Sequence, residues 1–398
     1  MERTPLKDFG IDIPALREEI VTTLCDLVRL PSITGNEAEM GRSVAAFCEA
    51  AGFNVEIVSA APDRPNVIAT YDTGRPGPKL LLNDHLDIVP PGPLEYWDHP
   101  PFDPLVKDGR VYGRGTIDTK SGLTTILYAA REAVAKAPLC GTLTLIFSCD
   151  EEVGGALGMQ HLGRNGYLDA DFALVAEPTS MQVEIATKGR LHLEISAEGK
   201  ATHAARPWLG HSAIEDMTDV ILALRAYADE LATRTDPLLG QASVCVGTIA
   251  GGTVPNMVPN RCTLGLDRRA LPSEDVDAVR AELAALVKRV EAARPGAKFS
   301  IAEKVWWPGY KIDADEPIIA ETVDAFEMVT GRRPDIKGKD AGTDASWINT
   351  LGGIPVVMFS PGSGPDAMNA NENVGIDDLV TATAVVTQLV VNILGARP

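Results

Sequence analysis

At 398 residues with 45% hydrophobic content, the chain has material for two or more domains, each with its own core. A formal net charge of -19 argues against nucleic acid or an anionic membrane surface as a partner, since no basic run interrupts that field. The expected ligand is small, or cationic, or met locally by a few arginines. Six cysteines, at positions 25, 48, 140, 149, 245 and 262, show no Cys-x-x-Cys spacing and read as reduced core residues of a cytoplasmic protein. The opening residues Met1 to Asp8 lack the apolar core of a signal peptide, and no later stretch reaches the uninterrupted length of a membrane span.

Helical periodicity runs from about Ile13 to Leu30 and again from Asn36 to Ala51, with Asn36 as N-cap and Gly52 as stop. Strands at Asn54 to Ser59 and Asn66 to Tyr71 follow. A third strand, Leu80-Leu81-Leu82-Asn83-Asp84-His85, is apolar until it releases an imidazole and, at Asp87, a carboxylate. Alternating helix and strand favour a layered α/β domain, in which ligands bind where strands end. Past the loop Pro90 to Pro93, the run Gly113-Arg114-Gly115-Thr116-Ile117-Asp118-Thr119-Lys120 leads into a helix from about Lys120 to Ala137, placing Asp118 at or near its N-cap. Two further apolar strands, Thr142 to Cys149 and Asp171 to Ala176, end in Asp150-Glu151-Glu152 and Glu177.

From Gln182 to about Trp307 the pattern changes. It reads as strand (Glu184 to Ala197), helix (His211 to Ala232), strands (Ala242 to Ile249 and Arg261 to Asp267), helix (Ser273 to Ala293) and strand (Lys298 to Val305), the β-α-β-β-α-β order of a ferredoxin-like domain. The first pattern resumes with helices at Glu316 to Thr330 and Asp344 to Leu351, a strand at Ile354 to Ser360 and a closing helix at Asp377 to Leu394. The expected architecture is a mixed-sheet α/β/α domain in two parts, residues 1–182 and 308–398, with a ferredoxin-like domain inserted at 183–307.

Singly, the polar strand ends carry little: a histidine there is more often structural than a ligand, and adjacent glutamates are usually a solvated turn. Here, however, Glu151 and Glu152 follow a strand too apolar to be a water-facing edge, and negative charge gathered at a buried rim is costly unless cations compensate it. Histidine and carboxylates converging on one rim form the nitrogen and oxygen ligand set of a zinc site.

Together, His85-x-Asp87, Gly113-Arg114-Gly115-x-x-Asp118-x-Lys120, Asp150-Glu151-Glu152, Glu177-Pro178-Thr179 and Gly199-Lys200-x-x-His203-x-x-x-Pro207-x-x-Gly210 resemble the zinc-dependent amidohydrolases that include acetylornithine deacetylase, succinyl-diaminopimelate desuccinylase, aminoacylase and carboxypeptidase G. The resemblance covers almost the whole chain, in order. It implies that Asp118 bridges two metal ions, that His85 and Glu177 complete the first site, and that Glu152 belongs to the second. It also implies Glu151 as general base, Asp87 as acceptor of the imidazole's other N–H, and His203 as stabiliser of the tetrahedral oxyanion from the partner subunit of a dimer. Asn256 and either Arg269 or Arg268 are candidates to grip a substrate carboxylate, and only one of the two arginines can face the site from a strand. The inserted domain would serve as lid and dimerisation surface of a homodimer. The implied cofactor is Zn²⁺, one or two ions, with Co²⁺ or Mn²⁺ as alternatives, and the implied substrate is an N-acyl amino acid or a small peptide-like amide.

One position departs from the pattern. Where the family carries a histidine ahead of Asn-Glu in the last loop, as the remaining ligand of the second metal, this chain reads Ala367-Met368-Asn369-Ala370-Asn371-Glu372. A thioether is a poor exchange for imidazole on Zn²⁺. Either the second site is weak or empty and His85, Asp118 and Glu177 hold one zinc, or Asp366 or Asn369 supplies an oxygen instead, or the chain binds an acyl-amino compound without turning it over. With Glu151 and every first-site residue intact, a metal-dependent amidohydrolase is the expectation.

Overall fold

The computed structural model describes residues 3–396. It divides into two compact units, one comprising Met1–Ile185, Ile312–Lys337 and Thr343–Pro398, the other Ala186–Lys311 with the short return Gly338–Gly342.

In the first unit, α1 (Arg17–Val28) and α2 (Ala38–Ala50) precede β1 (Asn54–Ser59), β2 (Pro65–Asp72) and β3 (Lys79–His85). Helix α2 begins after Glu37 rather than at Asn36, because the Asn36 amide donates instead to the Pro31 carbonyl at 3.2 Å. A small hairpin, β4 (Leu105–Lys107) and β5 (Arg110–Tyr112), is followed by α3 (Lys120–Lys136), β6 (Thr142–Ser148), α4 (Met159–Arg164), β7 (Phe172–Val175) and β8 (Val183–Thr187). The strand expected over Glu184 to Ala197 is broken here. Gly189, the first residue of β9 (Gly189–Glu198), lies so close to the backbone of Gly309 that no Cβ would fit, and the chain changes sheets at Lys188.

The second unit continues with α5 (Ala213–Leu231), the short β10 (Thr235–Asp236) and β11 (Gly240–Gln241), β12 (Ser243–Gly251), β13 (Arg261–Ala270), α6 (Val276–Ala293), β14 (Lys298–Trp307) and β15 (Tyr310–Lys311). Its antiparallel sheet runs β12-β13-β9-β14, the ferredoxin-like order. Alternate residues of β9 and β13, among them Leu191, Leu193, Ile195, Leu264 and Leu266, join Met217, Val220 and Leu224 of α5 and Leu283 and Leu286 of α6 in one core. Both helices start on side-chain caps, Ser212 accepting from the Glu215 N–H and Asp275 from that of Ala278.

The chain then adds α7 (Pro317–Thr330), β16 (Ile336–Lys339), α8 (Asp344–Gly352), β17 (Val356–Met358), β18 (Asn373–Gly375) and α9 (Ile376–Leu394). The large mixed sheet runs β1-β2-β6-β3-β7-β17-β8, and within it β6, β3, β7 and β17 are mutually parallel. Their C-terminal ends therefore share one rim, where the sequence places His85, Glu151 and Glu177. Strand alternation aims Asp84 at Thr119, at the start of α3, and Asn83 at Ser148, whose hydroxyl meets Asp344 of α8. Helix α9, packed on α3 and α7, is the one helix among the described residues long and apolar enough to cross a membrane, and 78% of that stretch is buried, as in a core helix. Four cysteines are buried as expected, whereas Cys245 is exposed and Cys140 half-buried.

The contact between α3 and β3 is tight at Gly122, where an added Cβ would be driven into the Asp84 carboxylate and the Ala176 carbonyl. Gly122→Ala should lower the stability of the first unit by about 1–3 kcal/mol through overpacking, read as a fall in the denaturation midpoint. An unchanged midpoint would show that α3 shifts freely over the sheet.

Candidate metal centre

His85, the last residue of β3, accounts for both its ring nitrogens. Nδ1 lies 2.8 Å from the Asp87 carbonyl and donates to it, so Nε2 faces the carboxylates, 3.1 Å from Asp118 Oδ1 and 3.9 Å from Glu177 Oε1. Two sets of side chains could hold a metal ion, His85 with Glu151 and Glu177 and His85 with Asp118 and Glu152, and in each set the donor atoms lie within 4.8 Å of one another. The donors are one imidazole and four carboxylates, the set that suits Zn²⁺ or a similar divalent ion. Glu152 Oε1 is buried without a partner, and among the described residues the basic side chain that pairs with Asp118 is His85 alone. Residues of this kind fit a cation. The N-cap of α3 is Thr119, and Asp118, whose peptide bond to Thr119 is cis, turns its carboxylate to His85 rather than to the helix.

Behind these groups, carboxylates hold backbone. Asp87 was expected to take the imidazole N–H. Its backbone carbonyl does so, while the carboxylate, 3.6 Å from Nδ1, accepts the N–H of Glu151 at 3.0 Å, that of Glu152 at 3.3 Å and the Thr34 hydroxyl at 2.8 Å. The short loop after β6 is thereby pinned to the strand end that carries His85. Asp84 accepts the His85 N–H at 2.8 Å and the Thr119 hydroxyl at 2.6 Å. Asp150, at φ 70° in the left-handed region, turns away from the rim and pairs with Arg64, which also grips Glu37. Glu372 accepts the N–H groups of Gly115, Ile117 and Asp118.

Gathering these groups shifts their protonation. Burial raises Glu151 and Glu152 well above the carboxylate range, and the charges of their neighbours, Glu177 and Asp344 for the first and Asp118 for the second, raise them further against the opposing pull of His85. Burial likewise raises Asp84, and lifts Asp344 to about 7. Burial would lower the His85 imidazole, but its contacts with Asp118 and Asp87 hold it well above the usual value. Asp87 is lowered, since its bonds outweigh its burial. Lys120, fully buried with its ammonium 2.7 Å from the Leu30 carbonyl, is pushed down to about 7 by burial.

The remaining candidates lie in the second unit. His203 and Asn256 stand on adjoining exposed loops joined by a bridge between His203 and Met257, and His203 Nδ1 accepts the Ala205 N–H at 3.1 Å. Arg269 points outward from β13 and forks onto Asp267, at 2.8 and 3.0 Å. Arg268, its rival on the same strand, is excluded: it is fully buried, bonded to Glu274 and the Tyr227 hydroxyl, and shares the inward parity of Leu264 and Leu266. Met368 is 48% exposed, with its carbonyl held by Arg114 at 2.9 Å. Sequence reasoning passed over Thr34, Asp84, Asp344 and Glu372. Only Asp84, on the polar end of the central strand beside His85, carried a local signal.

A buried imidazole and carboxylates at the rim of a mixed sheet, with a carboxylate of raised proton affinity among them, are the side chains that metal-dependent hydrolysis uses. Residues 81–392 match the model of peptidase family M20/M25/M40, and the chain belongs to that family. It is 29% identical over 350 residues to the acetylornithine deacetylase of Vibrio campbellii, covering 87% of this chain and 89% of that one. Its fold is similar to that of a tripeptidase from Staphylococcus aureus (TM-score 0.79, 23% identity, 94% of this chain and 97% of the other). The M20 metallo-carboxypeptidase Sso-CP2 of Sulfolobus solfataricus is likewise similar (TM-score 0.81, 20% identity, 94% and 99%). The chain is thus a metal-dependent hydrolase acting on non-peptide or dipeptide-like C–N bonds.

The protonation shifts give a sign for pH dependence. Glu151, Glu152, Asp84, Asp344 and His85 all have folded-state values above their unfolded ones, so without metal the folded chain binds more protons and loses stability as pH rises through the shifted values. Asp87, shifted down, contributes stability that is lost only as pH falls into the acid range. Metal-stripped protein should therefore melt at lower temperature at about pH 8 than at about pH 5, and added Zn²⁺ should stabilise it more at the higher pH, because ligands must shed protons to bind. Melting curves that are flat with pH and indifferent to Zn²⁺ would contradict this.

Proposed function

We propose that the chain removes the acyl group of an N-acyl amino acid, or cleaves a comparably small peptide-like amide, by water attack at a Zn²⁺ centre held by His85, Asp118 and Glu177, with Glu152 at a second position. The observation that carries the reading is the convergence on the His85 imidazole of two carboxylate sets, Glu151 with Glu177 and Asp118 with Glu152, with Asp118 and Glu177 both facing Nε2. The likeness to acetylornithine deacetylase supports an N-acylated amino acid as substrate. Co²⁺ or Mn²⁺, with similar tastes in oxygen and nitrogen donors, would substitute. The second position is the weaker one, because Met368 offers no imidazole and Asp366 or Asn369 would have to supply an oxygen.

A divalent ion bound there supplies the positive charge that makes water nucleophilic near neutral pH. The chain's own residues do the rest. Glu151, its backbone N–H fixed by Asp87, takes the proton of the attacking water, and the raised proton affinity that burial gives it suits that task. It then delivers the proton to the leaving nitrogen as the C–N bond breaks. His203, whose Nδ1 is engaged by Ala205, presents Nε2 to the developing oxyanion, acting from the partner subunit of a homodimer. Asn256 and Arg269 grip the substrate carboxylate. The second unit serves as lid and dimerisation domain, and the open edge strand β12, with Ile249 52% exposed, supports its use as a contact surface.

Glu151→Gln should lower kcat by about 10²- to 10⁴-fold while metal content by elemental analysis stays at the wild-type level. Retained turnover would remove Glu151 as the base. Met368→His should raise the metal-to-protein ratio toward that of a two-metal site. An unchanged ratio would place that loop away from the ion. Turnover of an N-acyl amino acid panel that ends on chelation and returns with Zn²⁺ tests the reading as a whole; tight binding without turnover would replace it with a binding protein.

A further inference from the structure

The loop that carries Asp118 and the loop that carries Met368 meet on one buried carboxylate. Glu372 Oε1 accepts the N–H groups of Ile117, at 2.7 Å, and Asp118, at 3.1 Å, while Oε2 accepts the Gly115 N–H at 3.2 Å and the Arg114 guanidinium. Arg114 also donates to the Met368 carbonyl at 2.9 Å and lies over the Trp97 ring, 5.2 Å from its centroid. The Glu372 carbonyl accepts the Gly113 N–H at 2.9 Å, and the next residues, β18, pair antiparallel with β5 immediately before that loop. Glu372 is 2% exposed and Arg114 1%. A carboxylate so far from water holds its position only while these donors surround it, and the backbone it holds is equally fixed by it.

A metal-ligating side chain at position 368 would tether the last loop to the ion. Here the Met368 side chain is 48% exposed and its carbonyl is the gripped atom, so the tether runs through Arg114 and Glu372 instead. We infer that Glu372 is a positioning residue for the metal centre: by gathering the N–H groups of residues 115, 117 and 118 it sets the backbone from which the Asp118 carboxylate reaches His85. With Arg114 it also keeps the last loop in place without a ligand at 368. The inference rests on the reading of Asp118 as a metal ligand, and it assigns Glu372 no contact with substrate or ion.

The test is a Zn²⁺ titration of the full-length, metal-stripped chain against a chromogenic chelator, wild type beside Glu372→Gln, with near-ultraviolet circular dichroism confirming the folded state of each at the titration temperature. An amide in place of the carboxylate turns a donor toward either the Arg114 guanidinium or the Ile117 and Asp118 N–H groups. The expected result is a Zn²⁺ dissociation constant weakened about 10- to 100-fold, the scale seen when partners of metal ligands are replaced, with KM for substrate unchanged once Zn²⁺ saturates. A folded variant whose Zn²⁺ affinity stays within about twofold of wild type, even with a lowered melting temperature, overturns the inference, since a purely structural role moves stability and not affinity. If the glutamine variant does not fold, Glu372→Asp, which keeps the charge but withdraws it by one methylene, is titrated in its place with the same two outcomes. A wild-type chain that takes up no Zn²⁺ overturns the metal-centre reading, and the inference with it.

Discussion

The first unit is organised around a repulsion. Asp118, Glu151 and Glu177, buried, and Glu152, half-buried, gather around a single imidazole at the rim where the parallel strands of a mixed sheet end. Charges that close in a medium of low polarisability cannot all remain ionised unless a cation joins them. The parallel strands β3, β6 and β7 bring His85, Glu151 with Glu152, and Glu177 to one rim, and Asp118 joins them from the loop ahead of α3.

The chain answers in two tiers. Immediately behind the ligand atoms it uses backbone: Asp87 captures the N–H groups of Glu151 and Glu152, Asp84 that of His85, and Glu372 those of three residues in the Asp118 loop. These bonds fix geometry without adding a positive side chain. One layer further out come the arginines: Arg64 pairs with Glu37 and Asp150, and Arg114 pairs with Glu372 from the side opposite the Ile117 and Asp118 N–H groups that the carboxylate gathers. Among the described residues the arginines therefore pair with the outer carboxylates, and the basic side chain that meets Asp118 and Glu177 is His85.

Much of this was readable because the apolar strands announce where they stop. Leu80 to Leu82 and Leu143 to Phe147 are too apolar to lie anywhere but the middle of a sheet, so the polar residues that follow had to fall at its rim. The choice between Arg268 and Arg269 was also present in the sequence, since position 268 alternates in step with Leu264 and Leu266, although an arginine with inward parity argues against itself until Glu274 and Tyr227 are seen to meet it. What could not be read are contacts across long separations. Glu372 reaches a loop more than 250 positions earlier, and the break at Lys188 depends on Gly189 meeting Gly309. Spacing along the chain brings Asp87 to the His85 imidazole but cannot tell its carbonyl, which lies nearer Nδ1 at 2.8 Å, from its carboxylate at 3.6 Å.

The interrupted order of the first unit also bears on how the protein is made. Its sheet needs β17 beside β7, and α3 has its packing partner in α9, so its core cannot close while the stretch beyond residue 343 is still within the ribosome. The inserted unit, nearly contiguous from residue 186 to 311, has its core side chains in place much sooner. During synthesis the half bearing the acidic rim therefore waits, its apolar strands uncovered, beside a neighbour that has everything it needs to fold. Apolar strands left uncovered in this way are the kind of surface through which multidomain chains self-associate and for which chaperones exist.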